Sequence, residues 1–133
     1  MKANITEYLR VNLDTEMWEC RNCDNELISA HENYKRGLLV YDRDPSEIHK
    51  PLIDPELYSY SFAPDPAYTA MLEFCCPHCG TMVEVEYTVP GHQPVHDIEL
   101  NLVDLKKKVA SWGDIPEQPE IPDTARERSA HHH

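Results

Sequence analysis

A mainly β fold with extended arms and a short C-terminal helix is predicted by three features of the 133-residue sequence. Two short cysteine pairs, Cys20-Arg21-Asn22-Cys23 and Cys76-Pro77-His78-Cys79, each aim two thiolates at one tetrahedral ion. Apolar and polar residues alternate with a period of two on both sides of the second pair, as in half-buried strands. Helical spacing sustained over several turns appears once, near the C-terminus. Together these observations predict zinc-ribbon-like β-hairpins built around a four-cysteine site.

In chain order, residues 7–20 mix polar residues with β-favouring types and predict a strand that delivers the chain into the first knuckle. Gly37-Leu38-Leu39-Val40-Tyr41 reads as a short apolar strand, ended by the turn Asp42-Arg43-Asp44-Pro45. Asp44, Pro45 and Glu47 form a helix start, with Asp44 accepting from free N–H groups and Pro45 at the first helical position. One turn is expected before Pro51 stops it. From Pro51 to Pro66 four prolines break regular structure while Tyr58, Tyr60 and Phe62 recur at every second residue. This segment reads as an extended arm with one aromatic face, which either completes a small core around the metal or packs on another protein.

Tyr68, Ala70, Leu72 and Phe74 alternate before the second knuckle, and Val83, Val85, Tyr87 and Val89 alternate after it against Glu84 and Glu86. The pattern predicts a hairpin with the metal knuckle at its tip and the two glutamates on a solvated face. Gly80 follows the second knuckle, where a left-handed turn lets backbone N–H groups face the sulfurs. Beyond the Pro90-Gly91 turn, Ile98, Leu102, Leu105, Val109 and Trp112 step by fours and threes, predicting a helix over 102–112 after a strand or irregular lead-in at 96–102. Residues 1–113 are therefore read as one domain whose segment 24–75 leaves the metal site and returns to it. Residues 114–133 are proline-rich and polar, expected to be disordered or partner-bound, and their closing Ser129-Ala130-His131-His132-His133 has the composition of a tag remnant.

The four cysteines Cys20, Cys23, Cys76 and Cys79 are the predicted metal ligands. A closed sulfur shell has no open position for substrate or water, so the site is expected to be structural, and an ion there should supply much of the folding free energy. Zinc is the expected ion, although a rubredoxin-type iron site uses the same four sulfurs. Cys75 would point to the opposite side of an extended strand and reads as a small buried apolar residue. His78 reads as solvent-facing. His92 and His96 have helical ligand spacing, but Pro94 and Gly91 argue against a helix there.

The formal net charge of −12 argues against nucleic acid, since phosphate binding requires a basic face. Four thiolates and one divalent ion would make the charge two units more negative. The run Lys106-Lys107-Lys108 falls on the predicted helix and reads as its solvated face. No apolar run approaches bilayer length, and the N-terminus lacks a signal-peptide core, so a cytoplasmic protein with reduced thiols and no membrane contact is expected. Phosphate loops, dinucleotide fingerprints and nucleophile elbows are absent from the sequence, and no residue is assigned a catalytic role.

The order of features is similar to that of a known family. The first cysteine pair is followed by Gly37-Leu38-Leu39-Val40, Arg43-Asp44-Pro45 with Ile48-His49, and Pro51-Leu52-Ile53-Asp54-Pro55. Tyr60-Ser61-Phe62-Ala63-Pro64-Asp65-Pro66 leads to Glu73-Phe74, Cys76-Pro77 and Cys79-Gly80-Thr81, then to Glu84-Val85-Glu86-Tyr87, Pro90-Gly91-His92 and His96-Asp97-Ile98-Glu99-Leu100. Over residues 5–105 this resembles the small subunit of acetone carboxylase and its relative acetophenone carboxylase. The resemblance implies a small zinc-binding subunit assembled with large hydantoinase-like subunits of an ATP-dependent ketone carboxylase. ATP and Mg2+ or Mn2+ would then act only on those partner subunits, which join a ketone and bicarbonate into a β-keto acid. A chain of this length points to the acetophenone branch. Two other classes share the cysteine pattern: a rubredoxin-like iron electron carrier and a free-standing zinc-ribbon adaptor.

Overall fold

The computed structural model describes residues 1–49, 54, 56, 57, 59 and 63–112. Tyr58, Tyr60 and Phe62 of the proline-rich arm, and the predicted tail, lie outside the described residues. A first sheet is an antiparallel meander of β1 (Lys2–Asn4), β2 (Leu9–Asn12), β3 (Met17–Cys20) and β4 (Glu26–Ser29), in that order. A second antiparallel sheet holds β5 (Leu39–Arg43), β6 (Ala70–Cys75) and β7 (Met82–Thr88), with β6 in the centre. The predicted mainly β class with zinc-ribbon-like hairpins is what the chain adopts.

Residues 7–20 form a hairpin, β2–β3, whose second strand ends on Cys20. The chain turns back at Cys23 into β4, and a 3-10 helix over Tyr34–Gly37 then leads to β5. The 24–75 segment thus supplies β4, β5 and β6, and it also fills the core with Ala30, Tyr34 and Leu38. Trp18 and Tyr34 pack with ring centroids 5.5 Å apart, and the Trp18 indole N–H donates to the Glu32 carbonyl at 3.3 Å. Around them lie Leu9, Val11 and Leu13 of the first sheet and Phe74 of the second. One core therefore fills the space between the sheets.

The short helix α1 (Pro45–Ile48) forms as predicted, with the Asp44 carboxylate accepting from the Ser46 N–H at 2.9 Å. Helix α2 (Leu102–Trp112) has the predicted bounds, and the Asn101 side chain accepts from the Asp104 N–H at its start. Leu102 and Val109 are buried and Leu105 and Ile98 pack beside them, while Trp112, at the C-terminal end of the helix, is exposed. Among the described residues no helix is long and apolar enough to cross a membrane.

The expected β5 strand forms, and one expectation about the second sheet, the face taken by Glu84 and Glu86, changes. β5 is a strand, yet Leu39, Val40 and Tyr41 are exposed, because the core-filling residue of that run is Leu38, just before the strand. Glu84 and Glu86 do not occupy a solvated face. Directly opposed residues of an antiparallel pair share a face, and the register sets Glu84 opposite Phe74 and Glu86 opposite Leu72, on the core side. Tyr87, opposite Met71, is the exposed residue instead. The cause is Lys35, whose side chain is 2% exposed and whose ammonium pairs with Glu86, lies 3.5 Å from Asp97 and donates to the Val95 carbonyl. A buried cation requires anionic partners, and this one draws the Glu86 carboxylate inward. A bulge between Phe74 and Cys75 leaves Val83 as the extra residue, packed against the core.

Candidate metal centre

Each sheet contributes one hairpin tip to a four-sulfur cluster. The β3–β4 connection carries Cys20 and Cys23, and the β6–β7 connection carries Cys76 and Cys79. The two knuckles repeat one backbone design. In the first, the Asp24 N–H donates to the Cys20 carbonyl at 2.8 Å and the Cys20 N–H donates to the Asn25 carbonyl at 3.0 Å. In the second, the Gly80 N–H donates to the Cys76 carbonyl and the Cys76 N–H donates to the Thr81 carbonyl, both at 2.9 Å. Asp24 and Gly80 close these turns in the left-handed region, with φ of 64° and 77° respectively. Glycine takes that conformation freely, and aspartate is among the residues that tolerate it.

The sulfurs converge. Cys20 Sγ lies 3.8 Å from Cys79 Sγ, and Cys23 Sγ lies 3.7 Å from Cys76 Sγ. All four lie within 4.8 Å of one another, the only group of three or more potential ligands among the described residues that could hold a metal ion. A tetrahedron with metal–sulfur bonds of about 2.3 Å has edges of about 3.8 Å, so the donor set fits a tetrahedral ion. Cys75 stands outside the cluster, half-buried, and His78 is exposed. His92 and His96 sit on irregular backbone, with His92 Nδ1 2.7 Å from its neighbour's carbonyl.

The sulfurs fall into two electrostatic classes. Burial pushes the Cys20 thiol up to about 12 and also raises Cys76, against backbone N–H groups of Asn22 and Cys23 on one sulfur and of His78 and Cys79 on the other. Cys79 is exposed, and the Thr81 hydroxyl, then the Asn22 amide, hold it down at about 5. The Asn25 side-chain amide, then its backbone N–H, lowers Cys23. Two inward sulfurs are thus served by backbone donors and two outward ones by side chains as well. Sequence reading missed Asn22, Asn25 and Thr81. Their signal is positional: Asn25 and Thr81 each stand two residues after the second cysteine of a knuckle.

Glu19, beside Cys20, was likewise not singled out. Its side chain is 4% exposed and is bridged by Arg10 at 2.7 Å and Lys2 at 3.0 Å. Arg10 also reaches Asp24 at 2.7 Å, tying the first sheet to the turn that closes the first knuckle.

The family model described as acetone carboxylase gamma subunit matches residues 3–110, a span that includes both knuckles and both sheets. The chain belongs to the acetone carboxylase gamma subunit family. It is 46% identical over 108 residues to the acetophenone carboxylase beta subunit of Aromatoleum aromaticum, covering 81% of each chain. It is 27% identical over 103 residues to the acetone carboxylase gamma subunit of Xanthobacter autotrophicus, covering 77% of this chain and 56% of that one. The resemblance read from the motifs is thereby confirmed. Both relatives are, by name, subunits of carboxylases, which places the gamma subunit family among parts of larger enzymes.

Proposed function

We propose that this chain is the small, non-catalytic subunit of a cytoplasmic ATP-dependent ketone carboxylase, and that Cys20, Cys23, Cys76 and Cys79 hold one structural zinc ion in it. The observation that carries this reading is the family match, which spans both cysteine knuckles. The higher identity to the acetophenone carboxylase subunit favours an aromatic ketone as the substrate of the assembly. An ion bound by the four sulfurs would fix the two hairpin tips against each other. Its closed shell would leave no position for a ketone, so the chemistry belongs to partners.

Those partners are large hydantoinase-like subunits, which would carry ATP and Mg2+ or Mn2+ and form the β-keto acid from ketone and bicarbonate. The exposed Leu39, Val40 and Tyr41 of β5 and Tyr87 of β7 suit a part that is embedded in an assembly. Affinity capture of the full chain from its native cytoplasm tests the reading. Stoichiometric recovery of large hydantoinase-like subunits is the expected result. Recovery of the chain alone, or with redox partners and a red ferric chromophore, would overturn it in favour of an iron electron carrier.

A further inference from the structure

The hydrogen bonds to the outward sulfurs are unequal in kind to those on the inward ones. Cys20 and Cys76 are fully buried, and apart from the other cysteines their sulfurs meet backbone N–H groups, which any sequence with this backbone would supply. Cys79 is exposed and Cys23 half-buried at the rim, and there side chains intervene. The Asn25 amide Nδ2 donates to Cys23 Sγ at 3.3 Å. The Thr81 hydroxyl lies 3.2 Å from Cys79 Sγ and donates to it when the sulfur is a thiolate. The Asn22 amide Nδ2 reaches across from the first knuckle to Cys79 Sγ of the second at 3.5 Å. His78, at the matching position of the second knuckle, is exposed and makes no such bond in return among the described residues.

We infer that Asn22, Asn25 and Thr81 are positioning residues that set how fast the ion is lost and which sulfur lets go first, with Asn22 acting as a latch between the two knuckles. The inference rests on the metal-binding reading above and deepens it. A four-thiolate shell around a divalent ion carries a net charge of −2, and donors at its sulfurs offset that charge. The inward sulfurs are sealed by protein, so ligand exchange or attack by an electrophile must begin at Cys23 or Cys79. Without its side-chain donor an outward thiolate keeps more of its negative charge on sulfur and is more nucleophilic. It is alkylated or exchanged sooner, and the ion follows.

The test uses the full chain loaded with zinc and four variants: Asn22→Ala, Asn25→Ala, Thr81→Val and Thr81→Ser. Zinc transfer to a chromophoric chelator is timed, and iodoacetamide labelling of each cysteine is mapped by mass spectrometry. Loss of outer donors at metal sites commonly costs about 10–100-fold in affinity, and at these rim positions release about 10-fold faster is expected. Asn22→Ala and Thr81→Val should label first at Cys79, Asn25→Ala first at Cys23, and Thr81→Ser should match the parent. Unchanged release rates and labelling order in a zinc-loaded parent and all variants would overturn this inference alone. A parent that takes up no metal would overturn the metal reading with it. All three positions are at least partly exposed, and far-UV circular dichroism separates a folded variant from a misfolded one.

Discussion

Lys35 sits almost fully buried between Glu86, Asp97 and the Val95 carbonyl, and it joins the 3-10 helix, β7 and the segment before α2. Removing one partner of a buried pair leaves the other charge uncompensated, at a cost of about 3–5 kcal/mol. Lys35→Met is therefore expected to lower unfolding free energy in urea by that order, and adding Glu86→Gln should restore part of it. Tyr34 stands in the same cluster, its hydroxyl 3.1 Å from Asp97, with its ionisation raised first by burial and then by the Asp97 charge. A phenol whose folded value lies above its unfolded value of about 10 binds more protons folded than unfolded at alkaline pH. Stability should thus fall as pH rises past about 10. Tyr34→Phe should flatten that decline in denaturant titrations at successive pH values, and an identical decline in both proteins would contradict this reading. None of this cluster was legible in the sequence. A lysine followed by an arginine looks solvated, and glutamates alternating with valines look outward, until the fold places Lys35 beneath β7. The cysteine ligands were legible because C-x-x-C spacing is itself geometry.

At the scale of elements, hairpins and helices follow from local pattern where that pattern is strong. The alternation around the second knuckle placed β6 and β7, and the four-three spacing placed α2. β1 and β4 escaped notice, being short and mostly polar or half-exposed, and held mainly by pairing to their neighbours. The turn at Gly80 is required by its φ of 77°, which costs a non-glycine residue about 1–2 kcal/mol. Gly80→Ala should lower the melting temperature and loosen metal binding together, read by thermal unfolding and chelator competition. Gly37 is required by space rather than by conformation: a Cβ there would meet Ile28 Cβ and the Leu27 carbonyl oxygen at 2.9 Å. Gly37→Ala should push the 3-10 helix off β4 and cost about 1–3 kcal/mol, with the metal retained. A Gly37→Ala protein as stable as the parent would show that this contact yields.

For the whole molecule, the four sulfurs are where the two sheets meet tip to tip. The first sheet brings Cys20 and Cys23, the second Cys76 and Cys79, and the core between them is small. Structural zinc in isolated finger peptides is worth about 10–16 kcal/mol, comparable to the total stability of a typical domain, about 5–15 kcal/mol. Chelation under reducing conditions should therefore abolish cooperative unfolding. Because all four thiols must lose their protons, and burial raises Cys20 and Cys76, metal affinity should rise with pH. Competition titrations at pH 6 and 8 check the sign. The measurement that bears most directly on the account is native mass spectrometry of the purified chain with elemental analysis of the same sample. One zinc ion per chain, lost from Cys76→Ser together with the cooperative transition, is the expected result. A metal-free chain that still unfolds cooperatively, or one iron ion per chain, would contradict it.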